Sequence, residues 1–558
     1  MSDPSRDRPG IAPWIEGAVL ALVVLAILAF GSDVVRASYH GCLHASIGEA
    51  VLRGGLSPEN PYHAGAPLRY YTLYPLLGAW IGRLGCGPFW GFALLDVLAA
   101  LLIAPALDAL ARGLGLSFTA RRACFLAAVL GFNGLGWIGF LVSSGDPLGS
   151  PPVYALIPMT LGREAFGWDA RLQAFLPKFL NVSSFALALP FALWALSACA
   201  GIRRDRPGRS FALVSFALAA SLALNPLVGG FAAVCAATWL LPEFLGATAR
   251  VRVAWALSLL AAVLLAVPFL VPATHLAPRG TSLIGAVALG GLPASNLLGP
   301  LLLLIVPGVH GLRLMPAGAR NRFLIAAALA AAVVLAGEMP QGNEYKMSRL
   351  SGLLWAVPAG ACAAHALSRP GWKRRVPIGL AFLALPTTIA VPWAYLAWSA
   401  HAASLPLVVE DGRLAPRETA LRPLFDAEAR ADPRAVVLMP PSFPGAMAAD
   451  GLVQGNALAP ALRHALFADL PQIHNDRHED LGTRLALLES LYGVESDLPP
   501  AKALADAREQ VAGRPVLVFD DGLGAITARV LQEAGASELA RSGDLALWSL
   551  PAAPSLRR

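Results

Sequence analysis

The sequence predicts a mainly α protein: a polytopic membrane helix bundle of about eleven spanning helices, N-terminus in and C-terminus out, followed by a soluble α/β domain. Three observations carry this expectation. Of the 558 residues, 56% are hydrophobic and only 14% are charged, whereas a soluble domain is charged at about a quarter of its positions. Apolar runs of about 17–25 residues, the length that crosses a bilayer, recur from residue 13 to residue 400. After residue 405 the composition changes, and acids and ordinary polar turns return.

Residues 1–12 read as a cytoplasmic tail holding Arg6 and Arg8. The first apolar run, 13–32, is long for a signal-peptide core and no small-x-small site follows it, so it reads as a retained helix. Basic residues in short joints mark the cytoplasmic side. Under one assignment all the clusters face it: Arg112, Arg121 and Arg122; Arg203, Arg204, Arg206 and Arg209; Arg250 and Arg252; Arg313, Arg320 and Arg322; Arg369, Lys373, Arg374 and Arg375. The spans then fall at 13–32, 89–110, 122–142, 175–200, 210–224, 226–246, 253–271, 294–311, 321–337, 350–368 and 376–399, giving a membrane domain over 13–400. The segment 70–84 is aromatic, contains Pro75 and Arg83, and must not span if Arg112 is to face inward; it reads as a helix lying in the outer interface. Asn225-Pro226 interrupts the stretch 210–246.

The net charge of +7 is a topology signal, because the arginines lie in joints and form no aromatic-interleaved basic face; no nucleic-acid partner is expected. Six scattered cysteines contain no Cys-x-x-Cys pair, which argues against a zinc or iron–sulfur centre. Cys42 and Cys86 could meet outside the membrane, which leaves a disulfide between them open.

Polar chemistry collects on the outer face, in segments 33–88, 143–174, 338–349 and everything after 400. The first outer loop is the richest. Asp33 sits where the first helix leaves the membrane, and a carboxylate there can deprotonate an acceptor hydroxyl, hold a divalent ion, or simply cap the helix. The stretch 43–53 has the pattern of an interfacial helix carrying His44 and Glu49, with His40 one turn before His44. Asp33, His44 and Glu49 therefore compete as the catalytic residue. Arg69, Tyr70 and Tyr71 follow. Lys178 and Asn181 stand at the outer end of a helix, and Asn343, Glu344, Tyr345, Lys346 and Arg349 fall in another outer segment. Cations at such depth are costly and are usually functional or paired, snorkelling to headgroups being the ordinary alternative. A set of them suits a lipid phosphate leaving group. Inside the membrane, Asp96 is the only acid of its helix before the cytoplasmic end at Asp108.

In the C-terminal part, 435–439, 515–519 and 545–550 read as strands and 483–492 and 523–535 as helices, with Asp520-Asp521-Gly522 as a strand-end turn. His474 and His478 are spaced four apart, which on a helix would share a face, but surface placement is the simpler reading. No P-loop, nucleophile elbow or dinucleotide fingerprint is present.

This arrangement resembles the GT-C superfamily of integral-membrane glycosyltransferases. The resemblance implies that Asp33 is the candidate acid, that Leu43–Gly55 is the first interfacial helix, and that Pro67-Leu-Arg-Tyr-Tyr-Thr-Leu-Tyr74 opens the second. Lys178-Phe-Leu-Asn181 and Asn343-Glu-Tyr-Lys346 look like motifs of related bacterial membrane proteins. The implied activity is transfer of a hexosyl or pentosyl group from a polyprenyl-phosphate donor, among membrane lipids, to an extracytoplasmic acceptor, with the enzyme in the cell membrane. The acid stands in no Asp-x-Asp or Asp-Glu pair, which leaves a divalent metal ion open. Two other classes compete. A transporter or flippase would place ionisable groups at the midplane, for which Asp96 is the one argument. A non-catalytic envelope-assembly protein would depend on 405–558 instead. Nothing in the sequence sets an oligomeric state.

Overall fold

The computed structural model describes residues 10–138, 174–201, 207–246, 248–274, 295–336, 345–447, 455–469, 479–493 and 498–553. In chain order the helices are α1 (Ala12–Phe30), α2 (Asp33–Ala37), α3 (Gly41–Gly54), α4 (Leu73–Gly82), α5 (Gly87–Gly113), α6 (Phe118–Gly131), α7 (Ser184–Ala200), α8 (Pro207–Leu224), α9 (Pro226–Leu245), α10 (Ala249–Thr274), α11 (Ser295–Leu312), α12 (Ala317–Ala336), α13 (Tyr345–Leu367) and α14 (Trp372–His401). Among the described residues six helices are long and apolar enough to cross a membrane: α1, α5, α10, α12, α13 and α14. Shorter apolar helices lie at Leu73–Gly82, Ser184–Ala200, Ser210–Leu224, Pro226–Pro242 and Leu297–Leu312. The chain is a multi-pass membrane protein.

Several expected spans come out shorter, for local reasons. The stretch 210–246 is two helices because Asn225 takes extended backbone and caps α9, its side chain accepting from the Val228 amide at 3.2 Å, while Pro226 occupies the first turn, where no N–H is needed. The span expected from 175 begins at Ser184, and Leu176–Phe179 forms a separate 3-10 turn ahead of it. The helix expected over 122–142 closes at Gly131, beyond which Asn133 adopts a positive φ of 49°. The expected interfacial segment 70–84 is the ten-residue α4, only about 15 Å long and too short to span.

Two compact units result, one drawn from Met1–Val35, Ala93–Leu270 and Arg279–Ala402, the other from Arg36–Phe92, Val271–Pro278 and Ala403–Arg558. The first is the helix bundle. Its helices approach closely where a side chain would not fit: a Cβ on Gly311 of α11 would lie 1.8 Å from the Pro358 carbonyl oxygen of α13, and one on Gly360 of α13 would lie 2.5 Å from the Cys124 amide nitrogen of α6. At one end Asp108 of α5 receives Arg121 and Arg122 of α6, and Arg122 also pairs with Glu16 of α1 at 2.5 Å. These arginines, expected only as cytoplasmic stops, thus form a buried ion network, which removes the cost of their partly dry surroundings.

The second unit groups residues 36–92 with those from Ala403 onward. Its sheet has five strands in the order β4 (Ala465–Leu466), β3 (Val436–Leu438), β5 (Val516–Asp520), β7 (Leu545–Leu550) and β6 (Ser537–Ser542). β3 runs parallel to β4 and β5, and β7 antiparallel to β5 and β6. A separate hairpin pairs β1 (Leu407–Glu410) with β2 (Arg413–Pro416) around Asp411-Gly412, both at positive φ. Helices α15 (Arg422–Arg430), α16 (Leu481–Tyr492), α17 (Pro500–Gln510) and α18 (Ala528–Glu533) complete the unit. Expected strands 435–439, 515–519 and 545–550 correspond to β3, β5 and β7. The expected helix 523–535 shrinks to α18 because Asp520 and Asp521 accept from the amides of Gly522 and Leu523, holding that stretch as a turn. Cys42 and Cys86 are both free thiols, so the disulfide considered for them is absent; their sulfurs approach the carbonyls of Ala457 and Ile81 instead.

Replacing Asn225 by Ala should destabilise the bundle by about 1–2 kcal/mol, the usual cost of a lost N-cap, because the carboxamide also donates to Ser184 Oγ at 3.0 Å. Thermal unfolding of the purified chain in detergent reads this directly, and an unchanged midpoint would remove the cap from the account of the helix break.

Candidate functional site

The sequence-expected residues divide between the two units. Asp33 belongs to the bundle. It opens α2 one residue beyond the Ser32 amide, which donates to Ser399 Oγ on α14. One turn earlier on α14, the hydroxyl of Tyr395 donates to Asn181 Oδ1 at 3.3 Å. Asn181 follows the 3-10 turn that holds Lys178, whose ammonium lies 5.1 Å from the centre of the Phe185 ring. Lys346 and Arg349 occupy the first two turns of α13, not a loop, and Arg349 stands 6.0 Å from the Phe132 ring centre. Tyr345 begins the same helix. Asn343 and Glu344 lie outside the described residues, as do His474 and His478.

This bundle cluster is electrostatically one object. Lys178 is only 8% exposed. Burial pushes its ammonium well below the usual lysine range; Arg349 and Lys346 push it the same way, and Asp96 of α5 opposes them. Asp96 is itself only 2% exposed. Lys178, Lys346, Arg349 and Asp96 therefore share one low-dielectric environment with Asn181 and Tyr395. Lys178, Lys346 and Arg349 are like charges that raise one another's cost here, and Asp96 is a charge that opposes them. Asp96 and the cations lie far apart in the sequence, where nothing joins them, and Tyr395 gives no signal beyond one phenol in a helix that also carries Thr387, Thr388 and Ser399.

The other unit holds the rest. His40 precedes α3 and His44 lies within it. His44 is 2% exposed and walled in by aromatic rings, with centroids 5.5 Å away for Tyr70, 5.1 Å for Tyr74 and 5.8 Å for Phe92. The His40 ring stands 6.3 Å from it. Tyr70 and Tyr71 stack at 4.2 Å and their hydroxyls are joined at 2.9 Å. Arg69 is half-buried beside them. Glu49 faces a different way: Arg83 binds its carboxylate at 2.6 Å and Arg53 lies at 4.0 Å. This ion pair ties α3 to the end of α4, and a Cβ on Gly48 would come within 2.5 Å of the Pro75 carbonyl oxygen, so the two helices touch backbone to backbone. Asp33 and the pair His44 and Glu49 thus belong to different units, and even within one unit His44 and Glu49 have separate partners. Among the described residues no three His, Cys, Asp or Glu side chains gather to hold a metal ion.

Because the folded-state pKa of Lys178 is depressed, the unfolded chain binds more protons than the folded one between that value and the unfolded lysine value of about 10.4. Stability should therefore rise with pH across that window and level off above it. Lys178→Met should abolish this slope and be no less stable near neutral pH, as read by melting midpoints in detergent over a pH series; an unchanged slope would mean that Lys178 is not the titrating group.

No protein-family model matches the chain, and the comparison with curated proteins finds no match. Solved structures do match in fold. Arabinofuranosyltransferase AftD from Mycobacteria aligns with a TM-score of 0.54 and 17% identity over 97% of this chain, which spans 42% of the AftD chain. ArnT from Cupriavidus metallidurans bound to undecaprenyl phosphate aligns at 0.47 with 12% identity over 97% of both chains, and its apo form at 0.45 with 11% identity. The chain shares the fold of the AftD structure.

Proposed function

We propose that this protein is a membrane glycosyltransferase that moves a sugar from a polyprenyl-phosphate donor to an acceptor on the extracytoplasmic side of the cell membrane. The observation that carries this reading is the set Lys178, Lys346 and Arg349, the first and last buried and Lys346 half-buried, with Asp96 as an opposing charge, within a bundle of GT-C fold. A transporter reading would use Asp96 as a lone intramembrane acid; its electrostatic contact with Lys178 makes it the counter-charge of an anion site instead.

In the proposed step the acceptor oxygen attacks the anomeric carbon. The bond from that carbon to the phosphate oxygen breaks, and its electron pair stays on the departing polyprenyl phosphate, which gains a negative charge. Fixed cations strengthen their hold as that charge develops, which is the differential stabilisation that lowers a barrier. The acceptor proton passes to a carboxylate. Of the three competing residues we assign this role to Asp33, because Glu49 is engaged by Arg83 and Arg53 and His44 is enclosed by aromatic rings, whereas Asp33 lies in the bundle with the cations. The first loop, with His40, Arg69, Tyr70 and Tyr71, then serves acceptor recognition. Undecaprenyl phosphate, bound by ArnT, is the model for the lipid carrier.

The test is transfer of a radiolabelled sugar from a synthetic polyprenyl-phosphate donor by the chain in liposomes. Lys178→Ala and Arg349→Ala should each lower kcat by about 100-fold or more, the usual cost of losing a charge-stabilising group, and Asp33→Asn by about 100-fold or more as the base is lost. Full transfer by the two cation variants would sink the proposal. Sugar or lipid uptake without any transferred product would favour transport.

A further inference from the structure

The first loop contains a small hairpin that the bundle does not use. Glu59 and Pro67 form a bridge, the Asn60 amide donates to the Ala66 carbonyl, and the Leu68 amide donates to Pro58. Its tip meets the edge of the C-terminal sheet. The Leu466 amide of β4 donates to the Pro61 carbonyl at 2.9 Å, and the Ala64 amide donates to the Leu466 carbonyl at 2.8 Å. β4 is the outermost strand on that side, so the hairpin occupies a sheet edge that would otherwise be open.

Two arginines lock it there. Arg514, just before β5, binds the Glu59 carboxylate through both terminal nitrogens and donates to the Arg434 and Ala435 carbonyls leading into β3. Arg484 of α16 is buried and donates from one nitrogen to the carbonyls of Ala64 and Phe467, at 2.7 and 2.8 Å. Between the two anchors sits Tyr62, wholly buried. Its hydroxyl donates to the Cys42 carbonyl at 3.2 Å and shares a hydrogen bond with Ser46 Oγ at 2.8 Å, both on α3. Burial pushes this phenol well above its usual range, so it remains a donor at any physiological pH. Cys42 and Ser46 flank His44 on α3. An unbroken set of hydrogen bonds therefore runs from β3 and β4 through the hairpin and Tyr62 to the helix that carries His44.

We propose that Tyr62 is a positioning residue through which the C-terminal sheet fixes α3 and its aromatic wall for acceptor recognition. This rests on the transferase reading for its functional meaning. It makes the C-terminal part a brace of the acceptor loop, acting through the 58–68 hairpin with no residue of its own in the chemistry. The hydroxyl joins hairpin to helix through Cys42 and Ser46, and removing it leaves the ring to fill the same space.

The experiment compares amide hydrogen exchange and steady-state transfer in the full chain in nanodiscs. The variants are Tyr62→Phe, Glu59→Arg, Arg514→Glu and the double exchange Glu59→Arg with Arg514→Glu. Tyr62→Phe should speed exchange over 41–54 by about tenfold, as local opening becomes easier, while exchange in β5 and β7 stays as in the parent. The KM for the acceptor should rise by about tenfold, with kcat and the donor KM held, because the loop acts on binding. The single charge reversals should do the same, and the double exchange should restore both readouts only in part, since a glutamate at 514 cannot donate to the Arg434 and Ala435 carbonyls. Unchanged exchange over 41–54 in Tyr62→Phe, or a fall in kcat with acceptor KM held, overturns the positioning role. If the parent itself transfers no sugar while the exchange pattern follows these expectations, the brace stands and the transferase reading falls.

Discussion

The bundle is organised by the cost of holding charge away from water. An ammonium in an apolar interior either loses its proton or finds a counter-charge, and Lys178 sits where both pressures act. Arg349 and Lys346 raise the cost, and Asp96 lowers it. Such a set is poor as a stabilising device, since a well-packed apolar group would serve better. The contrast with the opposite end of α5 is instructive. There Asp108 and Glu16 already balance Arg121 and Arg122, and nothing further is called for.

The same economy explains the second unit. Its elements are short and its strands few, with β4 only two residues long. A sheet this small gains from having its edge covered, and the first loop supplies the cover. In return the loop acquires a rigid frame for α3, which also meets α4 through the Glu49–Arg83 pair, the His44–Tyr74 ring contact and the close approach at Gly48.

Much of this was legible in the sequence because charge and proline are conspicuous in apolar surroundings. Lys178, Lys346 and Arg349 stood out for that reason, and Asn225-Pro226 announced a helix break through the known chemistry of a cap followed by a ring without an N–H. Helix starts were less legible. Residues 175–183 join an apolar run without a break in the sequence, yet Pro177 and the hydrogen bonds of a 3-10 turn take them out of α7. Tyr395 could not be read, since one hydroxyl in a long helix has the same pattern whether it faces lipid or a polar cluster. The Asp411-Gly412 turn was readable and was passed over: Asp-Gly between alternating apolar residues is a strong hairpin signal, and both residues do take positive φ. Long-range pairing was beyond reach. Nothing local about Pro61–Ala64 says that their partner is Leu466.

That pairing has a consequence for biosynthesis. Glu59 and Arg514 are separated by 455 positions along the chain. At ordinary elongation rates the residues between them take on the order of a minute to emerge. Throughout that interval the first loop is already made, yet it lacks the strand it pairs with and the arginines that clamp it. Every spanning helix is inserted before the loop next to the first one can be finished. A ribosome that stops early would therefore leave a protein with a complete set of membrane helices and an unfinished beginning, recognisable to a quality-control protease by the open hairpin near its start.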